Sequence, residues 1–303
     1  MKLLLHLPER VAWPLAGLAG RISYRASAKR RDRARRNLRR VVDWMAANGR
    51  GDDRYRRAAT DPAALEELVR DAFRHHACYN VELARAPSCD ARWISERLIV
   101  ETPESVAECL TERRAMILIG MHFGAIEMPG ILAVQGVGPL VTPMEFVANP
   151  RIERYIYSTR AAVGTRIVSL KDAPAQLISA LRRNEPVGLV ADRDITGGGV
   201  EVELFGATTR IPAGPAILAV ESGAPVCIGA VRRTAPGRYR GKLLALAVPK
   251  GASRRERSRA MLREEARVFE QLISDAPEQW LAVFHSIWPD LDGPEMSHSG
   301  GDA

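Results

Sequence analysis

From about residue 98 the chain alternates short apolar runs with stretches of helical period, and this alternation constrains the fold more than any other feature. The runs are Leu98–Val100, Met116–Ile119, Pro139–Val141, Ile167–Ser169, Val187–Ala191, Val226–Val231 and Leu243–Val248. Between them lie helical candidates at Pro103–Thr111, Gly124–Val134, Pro150–Val163, Ala173–Arg183 and Pro212–Ser222, and a long amphipathic stretch, Arg254–Ser274, follows the last run. A short apolar run bounded by turn formers suits a strand covered on both faces, and such strands joined through helices make a parallel sheet. The expected class is α/β: a mostly parallel central sheet flanked by helices. Sites in such sheets gather beyond the carboxyl ends of the strands.

Upstream of residue 98 the pattern is helical. Asp61-Pro62 reads as an N-cap followed by a first-turn proline, and Leu65, Leu68, Val69, Ala72 and Phe73 repeat near 3.6 residues over Asp61–Arg85. Gly49–Tyr55 reads as a loop. The expected organisation is a helical, membrane-facing extension over 1–97, a catalytic domain over 98–292, and a flexible tail over 293–303.

Charge separates this extension from the rest. Arg25, Lys29, Arg30, Arg31, Arg33, Arg35, Arg36, Arg39 and Arg40 stand against one acid, Asp32, so this segment nets +8, the formal charge of the whole chain. The basicity is therefore local. Ahead of it, Leu3, Leu4, Leu5, Val11, Trp13, Leu15 and Leu18 supply apolar side chains, but His6, Pro8, Glu9, Arg10 and Pro14 interrupt them. A spanning helix needs about 20 mostly apolar residues and a signal peptide needs an unbroken apolar core, so neither is expected. Apolar side chains followed by cations fit an interfacial segment on anionic lipid. A solvated or intramolecular helix face and a nucleic-acid contact use the same residues; the apolar flank favours lipid, and no nucleic-acid partner is expected.

Four cysteines, Cys78, Cys89, Cys109 and Cys227, are scattered without a C-x-x-C pair, so reduced thiols are expected rather than a disulfide framework or a zinc site.

The chemistry centres on Ala115–Gly130. A buried strand runs into Gly120, His122 falls in a turn that Gly120 and Gly124 permit, and Glu127 follows in the next helix. An imidazole there can act as a base near neutral pH if a carboxylate fixes its tautomer. His122 and Glu127 are five apart and cannot share one face of a regular helix, so His122 must precede the helix that Glu127 begins. Alone this spacing is weak evidence.

The block Met121-His122-Phe123-Gly124-Ala125-Ile126-Glu127 is joined by Ala191-Asp192-Arg193-Asp194, Leu204-Phe205-Gly206, Arg210-Ile211-Pro212-Ala213-Gly214-Pro215 and Trp288-Pro289-Asp290. In order and spacing, from about residue 30 to 290, these resemble the bacterial lipid A and phosphatidylinositol mannoside acyltransferases of the glycerolipid acyltransferase superfamily. The resemblance implies transfer of a long acyl chain from a coenzyme A or carrier-protein thioester to a hydroxyl of a membrane glycolipid, at the cytoplasmic face of the inner membrane. It implies His122 as base and Glu127 as the signature acid. Many members have Asn-Trp where this chain has Ala125-Ile126, which bears on contacts to the acceptor. A lipid A-type or glycerophosphate acceptor, and a non-catalytic lipid-binding protein, are the alternatives.

A second acid behind the imidazole is expected at Asp192, which ends the run Val187–Ala191, or else at Glu201. Glu145 and Arg160 match polar positions that the resemblance assigns to substrate contact. Arg193 and Arg210 flank glycine-rich turns and could meet phosphates, and Glu221 sits at a helix end unfavourable to an acid. His75 and His76 read as packing histidines. No G-x-S-x-G elbow occurs, so an acyl-serine route lacks support. Direct transfer needs no metal or redox cofactor, only a co-substrate thioester and an oxyanion donor, for which amides around Gly124 or a nearby arginine are candidates.

Overall fold

The architecture was read from a computed structural model that describes residues 7–110, 115–144, 149–251 and 253–291, the side chains of 108 and 110 excepted. Seven strands make one sheet in the order β1-β9-β8-β2-β5-β3-β4. They are β1 (Leu98–Val100), β2 (Ile117–Gly120), β3 (Leu140–Met144), β4 (Thr165–Ser169), β5 (Val187–Val190), β8 (Val226–Ala235) and β9 (Arg238–Leu246). Neighbours run parallel throughout except β8 and β9, which form an antiparallel hairpin. The first six residues of β8 are all buried, as expected of a strand covered on both faces. A separate antiparallel hairpin, β6 (Val200–Leu204) with β7 (Ala207–Ile211), follows β5. Alternation of Glu201 and Glu203 with apolar residues was its only trace in the sequence.

The crossovers are helical: α6 (Pro103–Leu110), α7 (Glu127–Val137), α8 (Pro150–Ala162), α9 (Ala173–Arg182) and α10 (Gly214–Ser222), with α11 (Arg254–Ile273) after β9. Among the described residues five more α-helices precede β1: α1 (Glu9–Ala26), α2 (Ala28–Ala47), α3 (Asp53–Thr60), α4 (Pro62–Arg85) and α5 (Ala91–Arg97). Asp61 caps α4 by accepting from the Ala63 amide, with Pro62 in the first turn. The expected loop over Gly49–Tyr55 is shorter than that, because Asp52 accepts from the Arg54 and Tyr55 amides and starts α3.

The residues before 98 are less an extension than expected. Leu38, Val41, Val42 and Met45 of α2 and Leu65, Leu68, Val69 and Phe73 of α4 share one buried cluster with Ile117 and Ile119 of β2. Helix α2 also grips the C-terminal segment, since the Asn37 amide donates to Val283 O at 2.8 Å and His285 O at 2.9 Å.

Most of the arginine cluster likewise turns inward. Arg35 pairs with Glu66 and Asp32, Arg40 with Asp290, and Arg39 donates to Ala59 O. Arg31 donates to Tyr24 O, and Arg30 lies over Phe284. Arg25 and Lys29 are exposed. Acids scattered elsewhere in the sequence return to neutralise the cluster, which a local count of charge cannot anticipate.

Helix α1 turns its small side to the protein. Ala12, Ala16 and Gly20 are buried against α4, and a Cβ on Gly20 would stand 2.8 Å from Arg74 Cα. Val11, Leu15, Leu18 and Ile22, spaced four, three and four apart, form an exposed row. No helix among the described residues is long and apolar enough to cross a membrane.

The cysteine expectation needs correction. Cys109 at the end of α6 and Cys227 in β8, 118 residues apart, form a disulfide, while Cys78 and Cys89 are free and buried. Linear spacing carried no sign of the pair, because the sheet's strand order brings the two together.

Candidate active site

The carboxyl ends of the central strands β2 and β5 place the two key side chains. Beyond Gly120 the chain turns through His122 before α7 begins at Glu127, and beyond Val190 it places Asp192 alongside. His122 Nδ1 lies 2.7 Å from Asp192 Oδ1, and the His122 amide donates to Oδ2 at 3.0 Å. The Asp192 side chain is fully buried, whereas 26% of the His122 side chain remains exposed. An ionised carboxylate only accepts, so it fixes the proton on Nδ1 and leaves Nε2 with a lone pair. Burial alone would raise the Asp192 pKa. The opposing effects of His122, the Trp280 indole and the His122 amide prevail and hold it below the ordinary carboxyl value.

The turn is clamped from behind. Trp280 Nε1 donates to Asp192 Oδ2 at 2.7 Å, Leu281 N to His122 O at 2.6 Å, and Gly124 N to Gln279 O at 2.9 Å. Gln279 is itself held by two side-chain hydrogen bonds to the Arg233 backbone, both 2.8 Å. Gly124 has φ of +57°, and a Cβ there would lie 2.1 Å from Val231 O, so no other residue fits. The amides of Phe123, Gly124 and Ala125 donate to Met121 O, Gln279 O and Val231 O. An oxyanion donor at Gly124 is thereby corrected: its amide is committed to the clamp.

Glu127 stands apart from the imidazole. In the first turn of α7, its carboxylate takes a forked pair from Arg160, at 3.1 Å and 2.9 Å, and the Tyr79 hydroxyl at 3.4 Å. This corrects the expected His122–Glu127 pairing: Arg160 takes both Glu127 oxygens, and Nδ1 of His122 is already used by Asp192. Arg160 is correspondingly largely buried and not a surface arginine. The Glu127–Arg160 pair helps line a cavity of about 80 Å³, together with Gly120, Ile126, Ile131, Leu140, Gly188 and Val190 among others.

The other expected residues fall in three places. Arg193 is beside the pair, its Nη1 3.3 Å from His285 Nδ1. Glu201 and Arg210 face each other across the β6–β7 hairpin, in a groove with Arg259 and Arg263, and Arg210 donates to Gly199 O. Glu201 is exposed there and does not back His122, so of the two candidate second acids only Asp192 does. Glu221 lies at the far end of α10, before β8 begins, 3.9 Å from Arg254. Glu145 lies outside the described residues. His75 and His76 are packed as expected; His75 meets Arg233, itself paired with Glu82. Trp280 and Gln279 went unremarked in the sequence, and no local pattern marks them.

The arrangement can accept a proton at Nε2 and hold the resulting charge against a buried anion. The family model for bacterial lipid A biosynthesis acyltransferases matches residues 1–289. A phosphatidylinositol mannoside acyltransferase of Mycolicibacterium smegmatis is 31% identical over 227 residues, 74% of this chain and 69% of that protein. Its counterpart in Mycobacterium tuberculosis is 31% identical over 170 residues, 54% of each. The structure of the 1-acyl-sn-glycerophosphate (LPA) acyltransferase from Thermotoga maritima overlaps 79% of this chain and 97% of its own at 17% identity, with a TM-score of 0.37.

Proposed function

Because the chain belongs to the bacterial lipid A biosynthesis acyltransferase family and is an acyltransferase, we propose that it moves a long acyl chain from a coenzyme A or carrier-protein thioester to a hydroxyl of a membrane glycolipid, with His122 as general base. The observation that carries this reading is the 2.7 Å contact between a buried carboxylate and the Nδ1 of a partly exposed imidazole. The acceptor hydroxyl gives its proton to Nε2 as its oxygen attacks the thioester carbonyl. Asp192 stabilises the imidazolium, and the proton passes to the thiolate as the C–S bond breaks. General-base assistance of this kind contributes about 10²–10⁴ in rate. The cavity beside Glu127 and Arg160 suits the start of an acyl chain, and the nearby guanidinium of Arg193 is the candidate for the developing oxyanion.

The names of the mycobacterial relatives favour a phosphatidylinositol mannoside as acceptor. The outward row on α1 supports work at a membrane surface, in which the exposed apolar side chains contribute more than an arginine cluster that is largely paired within the protein. Residues 1–6, with the three leading leucines, lie outside the described residues. Replacing Leu15 and Leu18 by Gln is expected to cut partition onto phosphatidylinositol-containing vesicles by at least about tenfold, the worth of one buried leucine. Unchanged co-sedimentation would remove α1 from the interface.

The identifying experiment is mass spectrometry of lipids after incubating the protein with palmitoyl-coenzyme A and a membrane extract. A new acylated phosphatidylinositol mannoside is expected. An acylated lipid A precursor or glycerophosphate would replace the acceptor, and binding of the thioester without product would replace the enzyme reading by a lipid-binding one.

A further inference from the structure

The hairpin β6–β7 turns through a backbone conformation that its sequence does not favour. Its two turn residues, Phe205 and Gly206, have φ of +52° and +72°. Asparagine or aspartate ordinarily precedes glycine in such a turn, because a bulky side chain at positive φ is strained. A bulky residue kept there points to a task for its side chain. The Phe205 ring is buried among indoles, with centroids 5.2 Å from Trp44, 5.9 Å from Trp280 and 6.3 Å from Trp288. Trp280 and Trp288 meet each other edge to face at 6.0 Å. The Phe205 amide donates to Glu270 Oε1 at 2.6 Å, which fixes the turn against α11.

Trp280 is the member of this group that reaches the candidate site. It is wholly buried, its backbone bridges to Phe123, and its one polar side-chain atom, Nε1, can only donate. Three donors meet the Asp192 carboxylate. Two belong to His122 itself, the backbone amide at Oδ2 and the ring at Oδ1. The third is the Trp280 indole at Oδ2, which comes from 88 residues further on and is the only one independent of His122. With two donors converging on Oδ2, Oδ1 is left to face Nδ1. Without the indole, the carboxylate would be held by nothing but the residue it is meant to steady.

We propose that Trp280 is a positioning residue for acyl transfer, its indole N–H orienting Asp192 so that His122 keeps its proton on Nδ1, while Phe205 holds the indole in place. The inference rests on the acyl-transfer reading above for the reaction in which its effect is felt. Trp280 takes no proton and acts through Asp192. Its importance lies in the tautomer: a neutral imidazole protonated on Nε2 has no lone pair there for the acceptor hydroxyl. A carboxylate free to turn away from Nδ1 lets the ring spend time in that unproductive form.

The test pairs kinetics on palmitoyl-coenzyme A and a phosphatidylinositol mannoside with a direct view of the ring. Trp280→Phe keeps an aromatic ring and removes the N–H. Its kcat is expected to fall about tenfold, the worth of one hydrogen bond to a charged group, with KM within about twofold of the parent. In the Asp192→Asn background the same substitution should cost less than about twofold, because the carboxylate that it orients is gone. Nitrogen NMR of protein labelled at histidine, with His122 assigned by its loss in His122→Ala, should show Nδ1–H in the parent and a share of Nε2–H in Trp280→Phe. Phe205→Leu should move both readouts the same way by a smaller amount. If Trp280→Phe fails to fold, benzothienylalanine at position 280, with the shape of tryptophan but sulfur in place of N–H, carries the same expectations. A kcat within twofold of the parent overturns the proposal. So does a tenfold loss that persists in Asp192→Asn, or a His122 tautomer that the folded variant leaves unchanged, since packing alone would then explain Trp280. Should the parent not turn over these substrates, the acyl-transfer reading fails by itself, and the NMR comparison still decides whether Trp280 sets the tautomer.

Discussion

Two carboxylates flank the turn after β2, and they meet opposite ends. Asp192 holds an imidazole, Glu127 a guanidinium, and both are largely buried at hydrogen-bond distance from their partners. Imidazole as a group has a second nitrogen that can take up and release a proton, whereas a guanidinium only donates hydrogen bonds and stays charged. Asp192 therefore backs a group that can exchange protons with a substrate. Glu127 fixes a permanent charge in the wall of a cavity and ties α7 to α8. The difference lies in the partner's chemistry and not in the acid.

The sharpest break of this comparison is Asp192→Asn. An amide in place of the carboxylate cannot hold the Nδ1 proton or stabilise the imidazolium, so kcat is expected to fall about 10³–10⁴-fold with little change in KM. A loss under tenfold would return His122 to a structural role. Glu127→Gln should act chiefly on stability. Breaking a buried pair costs about 3–5 kcal/mol, and since Arg160 is a fifth exposed the lower end applies, about 3 kcal/mol in urea unfolding. If kcat of the folded variant falls as far as in Asp192→Asn, the two acids are not distinct.

A third carboxylate extends the series. Glu265 of α11 is wholly buried, neither oxygen has a hydrogen-bond partner among the described residues, and burial raises its pKa well above the ordinary value. Glu265→Leu should stabilise the protein by about 2 kcal/mol. The gain should grow with pH, because a raised folded pKa favours folding only while the carboxyl stays protonated. A destabilised variant would mean that Glu265 has an unseen partner.

The effect that is smallest at neutral pH concerns imidazoles without a carboxylate. Burial, then neighbouring arginines, depresses His75 to about 2 and His76 to about 4. Below pH ~6.5 the unfolded chain binds protons that these rings refuse, so stability falls on acidification. Each ring contributes a slope of up to about 1.4 kcal/mol per pH unit between ~6.5 and its folded value. Urea midpoints at pH 7.0 and 5.0 measure it; His76→Phe should flatten the difference, and an unaltered slope would contradict the packing described.

What could be read in the sequence follows from what is local. The seven strands of the main sheet fall on the seven apolar runs, and the pattern is plainest in β2 and the first half of β8, where successive residues are buried and so must be apolar. His122 stood out for the same reason, as a polar residue between two glycines at the end of such a run. Asp192 was favoured because it terminates a neighbouring run. Trp280, 88 residues away, was invisible, since its role depends on a tertiary contact. Glu127 misled because closeness in sequence mimicked closeness in space, and Arg160 competed for it from another helix. The arginine cluster misled likewise: its counter-charges, such as Glu66 and Asp290, lie far along the chain. The β6–β7 hairpin escaped notice because its alternating polar face breaks the apolar run that marked the other strands.

A single-turnover assay tests the central claim most directly. Excess His122→Ala protein, with the melting temperature of the parent, is mixed with radiolabelled palmitoyl-coenzyme A and phosphatidylinositol mannoside, and the labelled lipid is counted over time. The account predicts no acylated product above the enzyme-free rate, while palmitoyl-coenzyme A still binds. Transfer within tenfold of the parent rate would contradict it.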